Sequence, residues 1–121
     1  MSKKVLVVDD SGTMRKIIIR SLNAVGFTDV VEAADGCEGI EAFNASPVEL
    51  VLTDWNMPNK SGIELVREIR QTGSKVPVFM ITTESEKSSV VEAIQAGIND
   101  YLVKPFSADV LREKLEKYCG E

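Results

Sequence analysis

Five short apolar runs recur along this chain, and none shows a regular apolar–polar alternation. They occupy residues 5–8, 30–33, 50–52, 78–81 and 101–103. A strand with one wet face carries a polar residue at every second position. A run without that rhythm suits a strand covered on both faces, as in a parallel sheet. Parallel neighbours cannot be joined by tight hairpins, so crossover segments must lie between them. The intervening stretches have the helical period. Met14, Ile17, Ile18, Leu22 and Val25 fall on one face, and Leu65 with Ile69, Val90 with Ile94, and Leu111 with Leu115 repeat the i, i+4 spacing.

Helix boundaries are written in the same language. Asp35 with Glu38, and Ser61 with Glu64, have the spacing of a capping box. Ser107 with Asp109 suits an N-cap and first turn, and Gly120 stands where a glycine would end the last helix. Gly26, Gly73 and Gly97 follow the earlier helices as stops. The pattern predicts an α/β fold: a doubly wound (βα)5 domain, five parallel strands with helices on both faces and right-handed crossovers. The second run carries Glu32 and the fifth carries Tyr101 and Lys104, so these two are expected at the edges. At 121 residues, the chain has room for one such domain, spanning 1–121, and no output domain beside it.

Charge and composition narrow the function. Lys plus Arg is 14 and Asp plus Glu is 19, a net charge of −5. With no basic run, binding to nucleic acid or to an anionic membrane is not expected. No apolar run approaches the ~18 residues of a membrane span, and the apolar stretch after the first residues is too short for a signal peptide. The expected compartment is the cytoplasm. The chain has no His, which removes Ser-His-Asp and Cys-His catalysis and imidazole metal ligation. Its two cysteines, Cys37 and Cys119, form no CxxC motif and are expected to be small buried apolar residues, not a disulfide.

In an open α/β sheet, sites form beyond the carboxyl ends of the strands. The residues there are Asp9-Asp10, Asp54, Thr82-Thr83 and Lys104-Pro105; only the second strand end, around Ala33-Ala34, is bland. Taken singly, a strand-end Asp serves as a turn residue or a helix cap, and Asp10 or Ser11 could simply cap the first helix. Taken together, if the first and third strands are neighbours, three carboxylates share one rim and repel one another until something neutralises them. A hard divalent cation such as Mg2+ is the natural occupant. Lys104 adds positive charge, and Thr82 can donate to an incoming oxyanion. These are parts for phosphoryl transfer onto a carboxylate.

Val7-Val8-Asp9-Asp10, Thr53-Asp54-Trp55-Asn56-Met57-Pro58, Ile81-Thr82 and Tyr101-Leu102-Val103-Lys104-Pro105-Phe106 resemble the receiver domain of two-component response regulators. The resemblance covers essentially the whole chain, in order. The Asp-Trp-Asn-Met-Pro stretch and Ser11-Gly12-Thr13-Met14-Arg15-Lys16 are similar to the stand-alone chemotaxis regulators of that family. The resemblance, not the periodicity, implies the strand order 2-1-3-4-5. It implies that Asp54 accepts a phosphoryl group from a histidine kinase and that Lys104 contacts that group. It implies that Asp9, Asp10, Asp54 and the carbonyl of Asn56 hold one Mg2+, and that Thr82 and Tyr101 form a switch pair. Asn56, Thr83 and Glu84 stand where the family tunes hydrolysis. Thr83 replaces the usual Ala or Gly and is expected to crowd the phosphoryl pocket. The bond before Pro105 is expected to be cis more often than its base rate.

The implied partner is a downstream protein, expected to be the flagellar motor switch. It would be bound by a monomer through the fourth helix (about 87–96), the fifth strand and the fifth helix (about 108–119). The family leaves room for a separate phosphatase. Autophosphorylation and autodephosphorylation are expected, with no separate substrate turnover. A stand-alone receiver in a non-chemotaxis phosphorelay is the alternative. An aspartyl phosphatase of the haloacid-dehalogenase type fits less well, because Asp9-Asp10-Ser11-Gly12-Thr13 lacks the third-position Asp. A flavodoxin-type flavin carrier fits least, because two carboxylates would repel its phosphate.

Overall fold

The computed structural model describes residues 4–55, 57, 59–83, 90–104 and 106–118. Strands and helices alternate throughout: β1 (Lys4–Val8), α1 (Gly12–Ala24), β2 (Asp29–Ala33), α2 (Gly36–Ala45) and β3 (Leu50–Asp54) come first. Then follow α3 (Gly62–Gln71), β4 (Val78–Thr82), α4 (Val90–Ala96), β5 (Asp100–Val103) and α5 (Ala108–Tyr118). All pairings are parallel, and the sheet order is β2-β1-β3-β4-β5. The two runs with polar residues are the edges, as their composition requires.

The absent alternation has the expected cause. Val5 and Val7 of β1 face one core with Leu50, Leu52, Phe79 and Ile81, closed by Ile18 and Leu22 of α1 and Leu111 and Leu115 of α5. Leu6 and Val8 face the other core with Val51, Val78 and Met80, closed by α2, α3 and α4. Each fully buried side chain of this size contributes about 1.5–3 kcal/mol relative to exposure, which offsets a backbone and side-chain ordering entropy of similar size.

Helix starts follow the capping residues. Ser11 caps α1 by accepting from the Met14 amide, and Ser107 accepts from the Val110 amide ahead of α5. Ser61 and Glu64 form a complete capping box. At α2 the box opens: Asp35 accepts from the Glu38 amide, but Glu38 turns outward to accept from the Ala34 amide. Gly26, Gly73 and Gly97 have φ of 99°, 89° and 120°, the left-handed turn that ends a helix at little cost only for glycine. Gly120 lies outside the described residues.

Three expectations fail at helix edges. Ile17 is 46% exposed and Ile94 is 55% exposed. The buried stripe of α1 centres on Ile18 and Leu22, and that of α4 on Val90 and Ala93, so Ile17 and Ile94 lie just beyond the stripe. Cys37 is a free, exposed thiol. The inward face of α2 is Gly36, Gly39, Ile40 and Phe43, which leaves position 37 outside. Cys119 lies outside the described residues. Among the described residues, no helix is long and apolar enough to cross a membrane.

Candidate phosphoryl-transfer site

Strand register assembles the site. Val8 of β1 pairs with Thr53 of β3, so Asp9, the next residue, stands beside Asp54. Asp54 itself pairs with Ile81, one residue before Thr82, and Thr82 pairs with Val103, one residue before Lys104. The turn after β5 is tied down by the Lys104 amide, which donates to the Thr82 carbonyl at 2.7 Å. Four strand ends thus deliver their polar residues to one rim.

One carboxylate oxygen each from Asp9, Asp10 and Asp54 lies within 4.8 Å of the others. The Lys104 ammonium is 3.3 Å from Asp54 Oδ1 and 3.8 Å from Asp9 Oδ2. Asp9 is 1% exposed and Asp10 is exposed. Asp9 Oδ1 accepts from the Ser11 amide at 2.9 Å, but its buried Oδ2 accepts no hydrogen bond among the described residues. An orphaned buried carboxylate oxygen carries a desolvation cost that ordinary structures avoid.

Electrostatics agrees. Burial pushes the Asp9 carboxyl above its ordinary value; the Ser11 amide opposes this, Asp54 and Asp10 add repulsion, and Lys104 partly offsets them. Burial likewise pushes Asp54 up, against the attraction of Lys104 and the Trp55 amide. Three clustered carboxylates, with an orphaned oxygen on Asp9, fit a Mg2+ ion that keeps part of its water shell.

Thr82 is fully buried, and its hydroxyl donates to the Thr83 carbonyl at 3.3 Å. Tyr101 pairs with Met80 and packs with it on the core under α4, the face to which Thr82 also turns by strand parity. The Lys114 ammonium lies 5.3 Å from the Tyr101 ring centroid and pairs with Asp100 at 2.8 Å. A groove of about 440 Å³ runs beside Tyr101, lined also by Phe106, Val110 and Lys114. Val91 and Ile94 of α4 and Val110 of α5 are exposed nearby in the chain's order of elements.

The response regulator receiver domain family matches residues 5–116. The chain belongs to this family. Chemotaxis protein CheY1 of Helicobacter pylori is 47% identical over 120 residues, covering 97% of each chain. Chemotaxis protein CheY of Pseudomonas aeruginosa is 45% identical over 116 residues, covering 94% of each. Among solved structures, Vibrio cholerae chemotaxis protein CheY4 superposes with a TM-score of 0.88 at 32% identity, covering 98% of this chain and 99% of its own. The receiver domain of a sensor histidine kinase from Pseudomonas aeruginosa PAO1 superposes with a TM-score of 0.89 at 28% identity over the full length of both chains. That protein is described with a magnesium ion coordinated in its active-site cleft.

In this receiver domain, the structure gathers Asp9, Asp10, Asp54 and Lys104 and sets Thr82 one strand position from them. Asn56, Glu84 and Pro105 lie outside the described residues, as do 87–89 of the expected fourth helix. Thr83 is described and half-buried at the mouth of β4. The second strand end is less bland than its alanines suggest: the Asp9 amide donates to the Ala33 carbonyl at 3.1 Å. Sequence reasoning also missed Arg15 and Glu32. Arg15 donates to the Asp9 carbonyl at 2.6 Å and to Glu32 at 2.9 Å. The available signal was an Arg four residues past a helix cap, within reach of the cap's own strand.

Proposed function

We propose that this receiver domain is a phosphorylation-switched regulator of chemotaxis in which Asp54 is the phosphoacceptor. The observation that carries this is the place of Asp54: it ends a buried central strand, beside Asp9 and Asp10, with the Lys104 ammonium at 3.3 Å. The phosphodonor is a histidine kinase. An Asp54 oxygen attacks phosphorus as the P–N bond of the donor's phosphohistidine breaks, and the imidazole leaves with that electron pair and takes up a proton. Lys104 stays paired with the developing anionic oxygens. Water later attacks the acyl phosphate, restoring the Asp54 carboxylate and releasing inorganic phosphate. Asp9, Asp10 and Asp54 would hold Mg2+, and the bound ion would supply neutralisation of the charge that develops in the transfer.

The output reading rests on the chemotaxis relatives and on the exposed apolar face beside Tyr101. Thr82 turns toward the phosphoryl group, Tyr101 repacks, and the face of α4, β5 and α5 binds the flagellar motor switch in the cytoplasm. This is a two-state element biased by a covalent charge. Acetyl phosphate with Mg2+ should add one phosphate by mass spectrometry, and Asp54→Asn should add none. Normal phosphorylation of that variant would overturn the assignment. Equal affinity of phosphorylated and unphosphorylated protein for the motor switch component would leave a phosphoacceptor serving another relay.

A further inference from the structure

Arg15 grips, through the backbone, the strand end that carries two of the three carboxylates. It is the fourth residue of α1, and helical side chains lean toward the helix N-terminus. Leaning back takes its guanidinium past the Ser11 cap to the end of β1. There Nη1 donates to the carbonyl oxygen of Asp9 at 2.6 Å. On its other side, Nε donates to Glu32 Oε1 at 2.9 Å, on the edge strand β2. The Arg15 side chain is only 20% exposed. A guanidinium is planar and rigid, so two anchored edges fix its orientation.

The Asp9 carbonyl belongs to the peptide that joins Asp9 to Asp10. The plane of that peptide sets where the Asp10 Cα stands and which way its carboxylate reaches. The turn has two other holds: the Asp9 amide donates to the Ala33 carbonyl of β2, and Asp9 Oδ1 accepts from the Ser11 amide. Arg15 supplies the side-chain hold on the carbonyl of this peptide and braces it against Glu32 of β2. We propose that Arg15 is a positioning residue, which orients the Asp9–Asp10 peptide so that both carboxylates meet a divalent cation beside Asp54. The inference rests on the reading of this rim as a Mg2+ site.

The sign of one measurement separates this role from its rivals. As a mere charge, Arg15 repels a cation, so its removal would tighten Mg2+ binding. As a surface ion pair stapling α1 to β2, it would leave Mg2+ affinity alone. As a positioning residue, its loss weakens binding. Mg2+ is titrated into the unphosphorylated protein, following the fluorescence of Trp55, the chain's one tryptophan and the neighbour of Asp54; calorimetry repeats the measurement. Arg15→Lys keeps the charge and loses the planar grip, and Arg15→Met loses both. Each is expected to raise the Mg2+ Kd about tenfold, the low end for losing an outer-shell partner of a metal site. Arg20→Met, which removes the same charge farther along α1, should not raise it.

Glu32→Ala frees the outer edge of the guanidinium and should weaken binding even in high salt, where through-space charge effects are screened. It keeps the test open if the Arg15 variants fail to fold. Unchanged Mg2+ affinity in Arg15→Lys, tighter binding in Arg15→Met, or an effect of Glu32→Ala that vanishes in high salt would overturn the positioning role. A wild-type protein that shows no response to Mg2+ would overturn the metal-site reading itself, and this inference with it.

Discussion

Two groups of carboxylates in this molecule have opposite fates. Asp35 and Glu64 stand at helix starts on the surface, while Asp9 and Asp54 stand at strand ends. The backbone amide of Glu38 and the side chain of Asn59 hold Asp35 below its ordinary value, and the Ser61 backbone amide does the same for Glu64. Burial pushes Asp9 and Asp54 the other way. The helix-start groups have their charge matched by donors that the fold must satisfy anyway. The strand-end groups are buried with too few donors, and Lys104 is the one ammonium beside them among the described residues. The helix-start carboxylates are solvated and capped; the strand-end carboxylates, which we propose for the chemistry, are held in an environment that only another charge completes.

The strongest way to break this contrast is to supply that charge. Mg2+ at one hundred times its Kd should stabilise the protein by about 2.7 kcal/mol at neutral pH. Thermal melting with and without Mg2+ measures it. An unmoved Tm would remove the distinction between the two groups.

Removing a strand-end charge should act in the same direction without metal. Asp54→Ala should raise the stability of the metal-free protein by about 0.5–2 kcal/mol, as commonly found when a strained site is relaxed. It should also shrink the stabilisation by Mg2+. Urea unfolding at neutral pH reads both; a destabilised Asp54→Ala protein would mean that Lys104 already satisfies the site.

At a helix start, the sign should reverse. Ser61→Ala deletes the acceptor for the Glu64 amide and half of the reciprocal box. It should cost about 1 kcal/mol in urea unfolding, with no change in Mg2+ affinity. A shift in Mg2+ affinity would show that the loop between β3 and α3 couples the cap to the site.

The smallest effect is in the pH dependence. Asp35 and Glu64 have lowered folded pKa values, so their stabilisation is present above their ordinary 3.8 and 4.5 and is lost as pH falls through the folded values. Asp9 and Asp54 have raised values, so the folded state is favoured below 3.8 and loses that advantage as pH rises through their folded pKa values. The difference in stability between wild type and Asp54→Ala should therefore grow as pH rises from below 3.8, and then level off. Asp35→Asn should be most costly at neutral pH and nearly silent at the acidic end. Parallel pH profiles for the two variants would contradict the contrast.

Much of this was legible in the residues alone. The unalternated runs demanded strands with two covered faces, and Val5 with Val7 and Leu6 with Val8 do divide between two cores. Ser11, Ser61 and Ser107 cap helices because the amides they serve lie within three residues of them. Asp9, Asp10, Asp54 and Lys104 were placed at one rim because strand ends in a parallel sheet point the same way. Strand order came from family likeness, since apolar periodicity does not say which neighbour a strand takes.

Other features belong to the assembled chain. The outward turn of Cys37 and the exposure of Ile17 and Ile94 depend on where each helix rests on the sheet. A helix wheel gives a stripe's direction but not its width. The orphaned Asp9 Oδ2, the opposed shifts of Asp9 and Asp35, and the grip of Arg15 on the Asp9 carbonyl are decided at longer range. Periodicity and capping act between residues a few positions apart, so the sequence contains them. Burial and charge balance are sums over neighbours brought together from β1, β2, β3 and β5, and only the folded chain performs that sum.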